Sequence, residues 1–163
     1  MGRVKPFLNF FVLVALAVCV GIARAAPVNI TVLAVVGAGI DEDVGAFRAA
    51  VAVANADAAT NAVVRLNAVV VRGAGSPIDS MIAFCEASGL PFANVVVGPS
   101  FSRDALLIAA LTGRMGLPTL AYSATASALN DPSAFPTLLR SVASDGLTAR
   151  AVVALLKSFG FRR

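Results

Sequence analysis

Five short apolar runs alternate with amphipathic segments along this chain, and that alternation constrains its fold more than any other feature. The runs lie at residues 30–36, within 63–71, and at 94–97, 119–122 and 139–142. After the first run, Val44, Phe47, Val51 and Ala54 recur at helical spacing. A second helix is expected from about residue 77 to 87, with Ser76 as N-cap and Pro77 in the first position. A third is expected over 103–115, stopping at Gly116. A last one is capped by Ser144, carries Leu147, Ala151, Leu155 and Phe159 on one stripe, and stops at Gly160. The order reads β-α-β-α-β-α-β-loop-β-α. Apolar strands separated by helices pair in parallel and need cover on both faces. The expected fold is α/β, a doubly wound, mainly parallel sheet with helices on both faces.

The first 25 residues stand apart. Arg3 and Lys5 make a basic start, residues 7–22 are apolar except for Asn9, and Ala23-Arg24-Ala25 is a small-x-small pattern. This is the anatomy of a secretory signal. The run is short for a span of about 20 residues. A signal over 1–25 and one folded domain over 26–163 are therefore expected, secreted or on the extracellular face of the plasma membrane. Without Arg3, Lys5 and Arg24 the net charge of +4 falls to +1, ten basic residues against nine acidic. The high pI of about 9.8 thus owes much to the leader, and no nucleic-acid partner is implied. Cys19 falls in the leader and leaves Cys85 as the one cysteine of the expected mature chain, so no internal disulfide is expected. Its neighbours Met81, Ile82 and Phe84 suggest a buried, small apolar position.

Most catalytic chemistries find no support. The chain has no histidine, which excludes Ser–His–Asp and Cys–His systems and histidine metal sites. Gly37-Ala38-Gly39 sits between strand and helix as a dinucleotide loop would. Its third glycine is replaced by Glu42, flanked by Asp41 and Asp43, and those carboxylates would repel a pyrophosphate. The three acids suit a helix N-terminus instead. No Gly-x-x-x-x-Gly-Lys loop occurs. Neither enzymatic activity nor a cofactor is expected.

What remains is a polar rim. The third run ends at Gly98-Pro99-Ser100-Phe101-Ser102, the fourth at Ser123-Ala124-Thr125-Ala126-Ser127, and the fifth at Ser144-Asp145. In an open α/β sheet, ligands bind outside such carboxyl ends. Ser102 opens a helix, where free N–H groups and the dipole can hold a carboxylate. Simple capping is the competing role for that serine. Ser123 and Thr125 add hydroxyls, and Asp145 adds a negative charge. An anion-holding helix start beside a carboxylate suits the carboxylate and ammonium of an α-amino acid.

Four segments carry a family resemblance: Val95-Val96-Val97-Gly98-Pro99-Ser100-Phe101-Ser102, Leu117-Pro118-Thr119-Leu120-Ala121-Tyr122-Ser123-Ala124-Thr125, Leu129-Asn130-Asp131, and Leu139-Arg140-Ser141-Val142-Ala143-Ser144-Asp145. Together they resemble the receptor ligand-binding region of metabotropic glutamate and related class C receptors. Bacterial amino-acid binding proteins share this type I periplasmic-binding fold. The likeness runs from about residue 28 to 161. It implies that Ser102 holds a ligand α-carboxylate, that Ser123 and Thr125 contact the α-amino and carboxylate groups, and that Asp145 binds the ammonium. Phe101 stands where a small or hydroxyl residue is usual, and Ala143 where proline is usual. No basic residue before Ser76 matches the one that holds a glutamate side chain, so amino-acid binding is implied more strongly than glutamate specificity. The resemblance covers the first of two lobes, and the domain is expected to be truncated. It also implies a homodimer through the first lobe and a membrane signalling module outside this chain. A transport binding protein and a non-binding dimerisation module are the alternative roles.

Overall fold

The computed structural model describes residues 26–73, 75–88 and 93–161. The expected export signal, with Cys19, lies outside the described residues. Five strands form one sheet: β1 (Val28–Val36), β2 (Val64–Arg72), β3 (Val95–Val97), β4 (Thr119–Ala121) and β5 (Leu138–Arg140). The helices are α1 (Asp41–Ala56), α2 (Ala58–Val63), α3 (Pro77–Ser88), α4 (Ser102–Met115) and α5 (Asp145–Ser158), with a 3₁₀ turn at Ser127–Asn130. All pairings are parallel, in the order β2-β1-β3-β4-β5. The chain steps from β1 to one side, then crosses to the other. That reversal makes the sheet doubly wound and opens a crevice at the carboxyl ends of β1 and β3.

Alternating strand residues divide between two faces. On one, Leu33, Val35, Val71 and Val96 meet Phe84 of α3 and Ile108 of α4. Phe84, Val96 and Ile108 are wholly buried; burying each such side chain favours folding by roughly 1.5–3 kcal/mol. On the other, Ala34, Val36 and Val70 meet Val44 and Phe47 of α1. Register carries that second row onward: Ala34 lies beside Val97, Val97 beside Leu120, and Leu120 beside Leu139. Here α1 covers the β1–β2 end, while Leu139 remains 63% exposed.

The expected helices form where spacing and caps place them. Ser76 Oγ accepts from the Asp79 amide at 3.1 Å and donates to the Asp79 carboxylate at 2.7 Å. Ser144 Oγ accepts from the Leu147 amide at 3.3 Å. Three results differ from expectation. The short helix α2 was not foreseen; Asp57 starts it by accepting from the amide and hydroxyl of Thr60, and none of its residues is buried. Cys85 is exposed, because Ser80 and Phe84, one turn apart, occupy the buried face of α3. The stripe on α5 forms but does not pack: Leu147, Leu155 and Phe159 are 52%, 56% and 71% exposed. An apolar stripe records which face of a helix needs cover, not what supplies it.

Candidate ligand-binding site

The turn after β3 positions the site. Gly98 has φ +99°, and a Cβ there would lie 2.2 Å from the Val35 carbonyl oxygen. Only glycine fits both the conformation and the approach. Its N–H donates to the Leu120 carbonyl at 2.8 Å, tying the turn to β4. Phe101 and Ser102 follow, and α4 begins. The Phe101 ring lies over Gly37, where any Cβ would come within 2.4 Å of it. The Arg103 guanidinium sits 5.3 Å from that ring's centre. The unusual aromatic thus packs the β1 turn against the β3 turn. Ser80 Oγ donates to the buried Asp104 carboxylate at 3.3 Å and fixes the first turn of α4 to α3.

Ser102 does not cap its own helix. Its Oγ accepts hydrogen bonds from the Thr125 and Ala126 amides, each at 3.1 Å. Thr125 in turn accepts at its carbonyl from the Asp145 amide, at 2.8 Å. Ser127 Oγ accepts from the Gly146 amide at 3.0 Å. Arg140 donates to the Ala126 carbonyl at 3.2 Å and also bonds Asn130. So Ser102, Thr125 and Asp145 meet through the loop after β4. Ser123 stands in the same loop, two residues before Thr125, exposed at the end of β4.

Their residual hydrogen-bonding capacity differs. A hydroxyl oxygen has two acceptor sites and one proton. Both acceptor sites of Ser102 are taken, so its proton is what it can offer to an incoming acceptor. The Ser123 hydroxyl and Asp145 carboxylate make no side-chain hydrogen bond or ion pair among the described residues, and both are exposed. The rim therefore presents two hydroxyl donors next to an uncommitted carboxylate.

A second polar cluster, which sequence reasoning missed, lies on the α1 side of the same turn. The Gly37 amide donates to Ser100 Oγ at 3.3 Å, Ser100 Oγ lies 2.5 Å from Tyr122 Oη, and Tyr122 Oη donates to Asp43 Oδ2 at 2.7 Å. A proton order follows: amide to serine, serine to phenol, phenol to carboxylate. Burial pushes the Tyr122 phenol up to about 12; the Ser100 bond opposes this, and the bond to Asp43 and its charge add to it. Tyr122 therefore stays protonated and donating at neutral pH. Asp43 and Tyr122 are 79 residues apart, so no local pattern could have paired them.

Residues 43–163 match the family described as the receptor family ligand binding region. The match takes in three-quarters of the chain, including all four rim residues, and the chain belongs to this family. It is similar over 83 residues, half its length, to taste receptor type 1 member 3 of Rattus norvegicus, at 34% identity. Over 62 residues it is 37% identical to G-protein coupled receptor family C group 6 member A of Carassius auratus, covering 38% of this chain. Over 70 residues it is 29% identical to metabotropic glutamate receptor-like protein E of Dictyostelium discoideum, covering 43% of this chain. The matched segments span 10%, 7% and 9% of those relatives. The class C resemblance thus agrees with both the family and the relatives. No helix among the described residues is long and apolar enough to cross a membrane.

Proposed function

We propose that this receptor ligand-binding lobe recognises a small zwitterion, an α-amino acid, at the rim formed by Ser102, Ser123, Thr125 and Asp145. One observation carries the reading: a single loop donates its Thr125 and Ala126 amides to Ser102 Oγ and accepts at its Thr125 carbonyl from the amide of Asp145. That chain of bonds sets a donor-rich helix start beside an unpaired carboxylate. In this reading the Ser102 and Ser123 hydroxyls and the uncapped start of α4 take the ligand carboxylate, and Asp145 takes the ammonium. Binding acts outside the cell, without catalysis or a cofactor. A second lobe closing over the ligand would raise an affinity that an open rim keeps weak.

Calorimetric titration with a panel of amino acids tests this. Saturable heats that vanish for the matching α-keto acids are expected; flat traces for the whole panel would remove the reading. Pairing of two lobes through α1 and α3 is a second role. It is favoured by Val53, Ile78 and Ile82, which stand exposed on those helices. Sedimentation should then show a dimer that Ile78→Asp and Ile82→Asp dissociate.

A further inference from the structure

A cavity of about 310 Å³ opens between α1 and the sheet, beside the Asp43 cluster. Its walls are apolar: Val36 and Val97 from the strands, Ala46, Phe47 and Ala50 from α1. Asp43 and Tyr122 form its one polar end. The volume falls in the range of small-molecule sites, and apolar walls with a few convergent polar groups are their usual lining.

The polar end carries a carboxylate that has no ion pair among the described residues. Asp43 Oδ2 accepts from Tyr122, and Ser100 lies 3.4 Å away. Oδ1 accepts no hydrogen bond among the described residues. Arg72 pairs with Asp41, and Arg103 with Asp104 and the Gly75 carbonyl; Arg48, exposed on α1 five residues beyond Asp43, makes no ion pair with it. A carboxylate can accept about four hydrogen bonds. One facing an apolar wall is stabilised most by a donor that also carries positive charge.

We propose that this cavity binds a small organic cation with an apolar body, an alkylammonium whose head meets Asp43 and whose chain lies between Phe47, Val36 and Val97. The site needs no ligand carboxylate, so it is independent of the amino-acid rim. Tyr122, bonded to Asp43 and protonated at neutral pH, holds the carboxylate toward the cavity and does not compete as a second anion.

The chain has one tyrosine and no tryptophan, so its tyrosine emission reports on this cluster alone. Titration at pH 7 with n-pentylammonium should give a saturable change in that emission and matching heats. Pentanoate should not bind, and 1-pentanol should bind about tenfold more weakly than the amine. Asp43→Asn keeps the shape and removes the charge; it should weaken the amine about tenfold. Ala50→Leu fills the cavity from an exposed helix position and should weaken it at least as much, with Asp43 intact. Asp145→Ala should leave it unchanged. Absence of saturation, equal binding of the alcohol, or wild-type affinity in both cavity variants would overturn the proposal. So would loss of binding in Asp145→Ala, which would place the ammonium at the rim instead.

Discussion

Two polar clusters flank the Gly98-Pro99 turn, and they differ in what they leave unsatisfied. On the α1 side, Gly37, Ser100, Tyr122 and Asp43 form a closed donor chain that ends on a carboxylate. On the α5 side, Ser102 spends its acceptor sites on the β4 loop, while Ser123 and Asp145 keep theirs open. One turn thus builds a braced cluster and an available one. The braced cluster shapes a cavity and holds three chain segments together. The available one keeps both donors and acceptors for a zwitterion, whereas the braced one keeps open only Oδ1 of Asp43.

On the scale of folding stability, the largest test removes both clusters at once. Gly98→Ala puts a Cβ against the Val35 carbonyl at a positive φ. It should cost on the order of 3 kcal/mol or more, read by urea unfolding. A loss under about 1 kcal/mol would mean that the turn relaxes easily and fixes neither cluster. Next come the two serines. Ser102→Ala strands the Thr125 and Ala126 amides, and Ser100→Ala strands the Gly37 amide. Each should cost about 1–3 kcal/mol. Amide exchange separates them: it should speed up at Thr125 and Ala126 only in the first. Equal acceleration in both variants would merge the clusters into one unit.

A smaller effect appears at high pH. Tyrosine in the unfolded chain ionises near 10, whereas Tyr122 in the fold ionises near 12. The folded state therefore keeps a proton that the unfolded state loses. This contribution is complete below pH 10 and is lost as pH rises toward about 12. Absorbance of the lone tyrosine should titrate near 12 in the folded protein. Asp43→Asn should lower the midpoint, and Ser100→Ala should raise it. A midpoint near 10 in the wild type would dissolve the braced cluster. The smallest effect on stability belongs to Asp145→Ala, which removes an exposed charge from the first turn of α5. It should cost no more than about 1 kcal/mol, yet abolish the preference for ammonium-bearing ligands over deaminated analogues. Large destabilisation with unchanged ligand preference would reverse the roles assigned to the clusters.

The same contrast explains what was legible in the sequence. Ser76, Ser144 and Gly116 act within a few residues of themselves, and the helices they delimit formed as expected. The segments that follow the strands, at Gly98, Ser123 and Ser144, fell on one rim because parallel pairing puts all carboxyl ends together. Ser102 was legible as a rim residue, though its bonding partners were not. Capping is a local habit of serine, whereas the amides it binds lie 23 and 24 residues onward. Asp43 and Tyr122 left still less trace, since only the folded sheet brings α1 to the end of β4. Cys85 and the α5 stripe show the complementary limit. Periodicity gives a face but not the surface that meets it.

Amide chemical shifts under titration with an amino acid test the rim most directly. Thr125, Ala126, Asp145 and Gly146 should shift together and saturate along one binding curve, while Gly37 and Ser80 stay still. Shifts confined to other elements, or none at the highest concentration of every amino acid tried, would contradict the assignment of this rim as the ligand site.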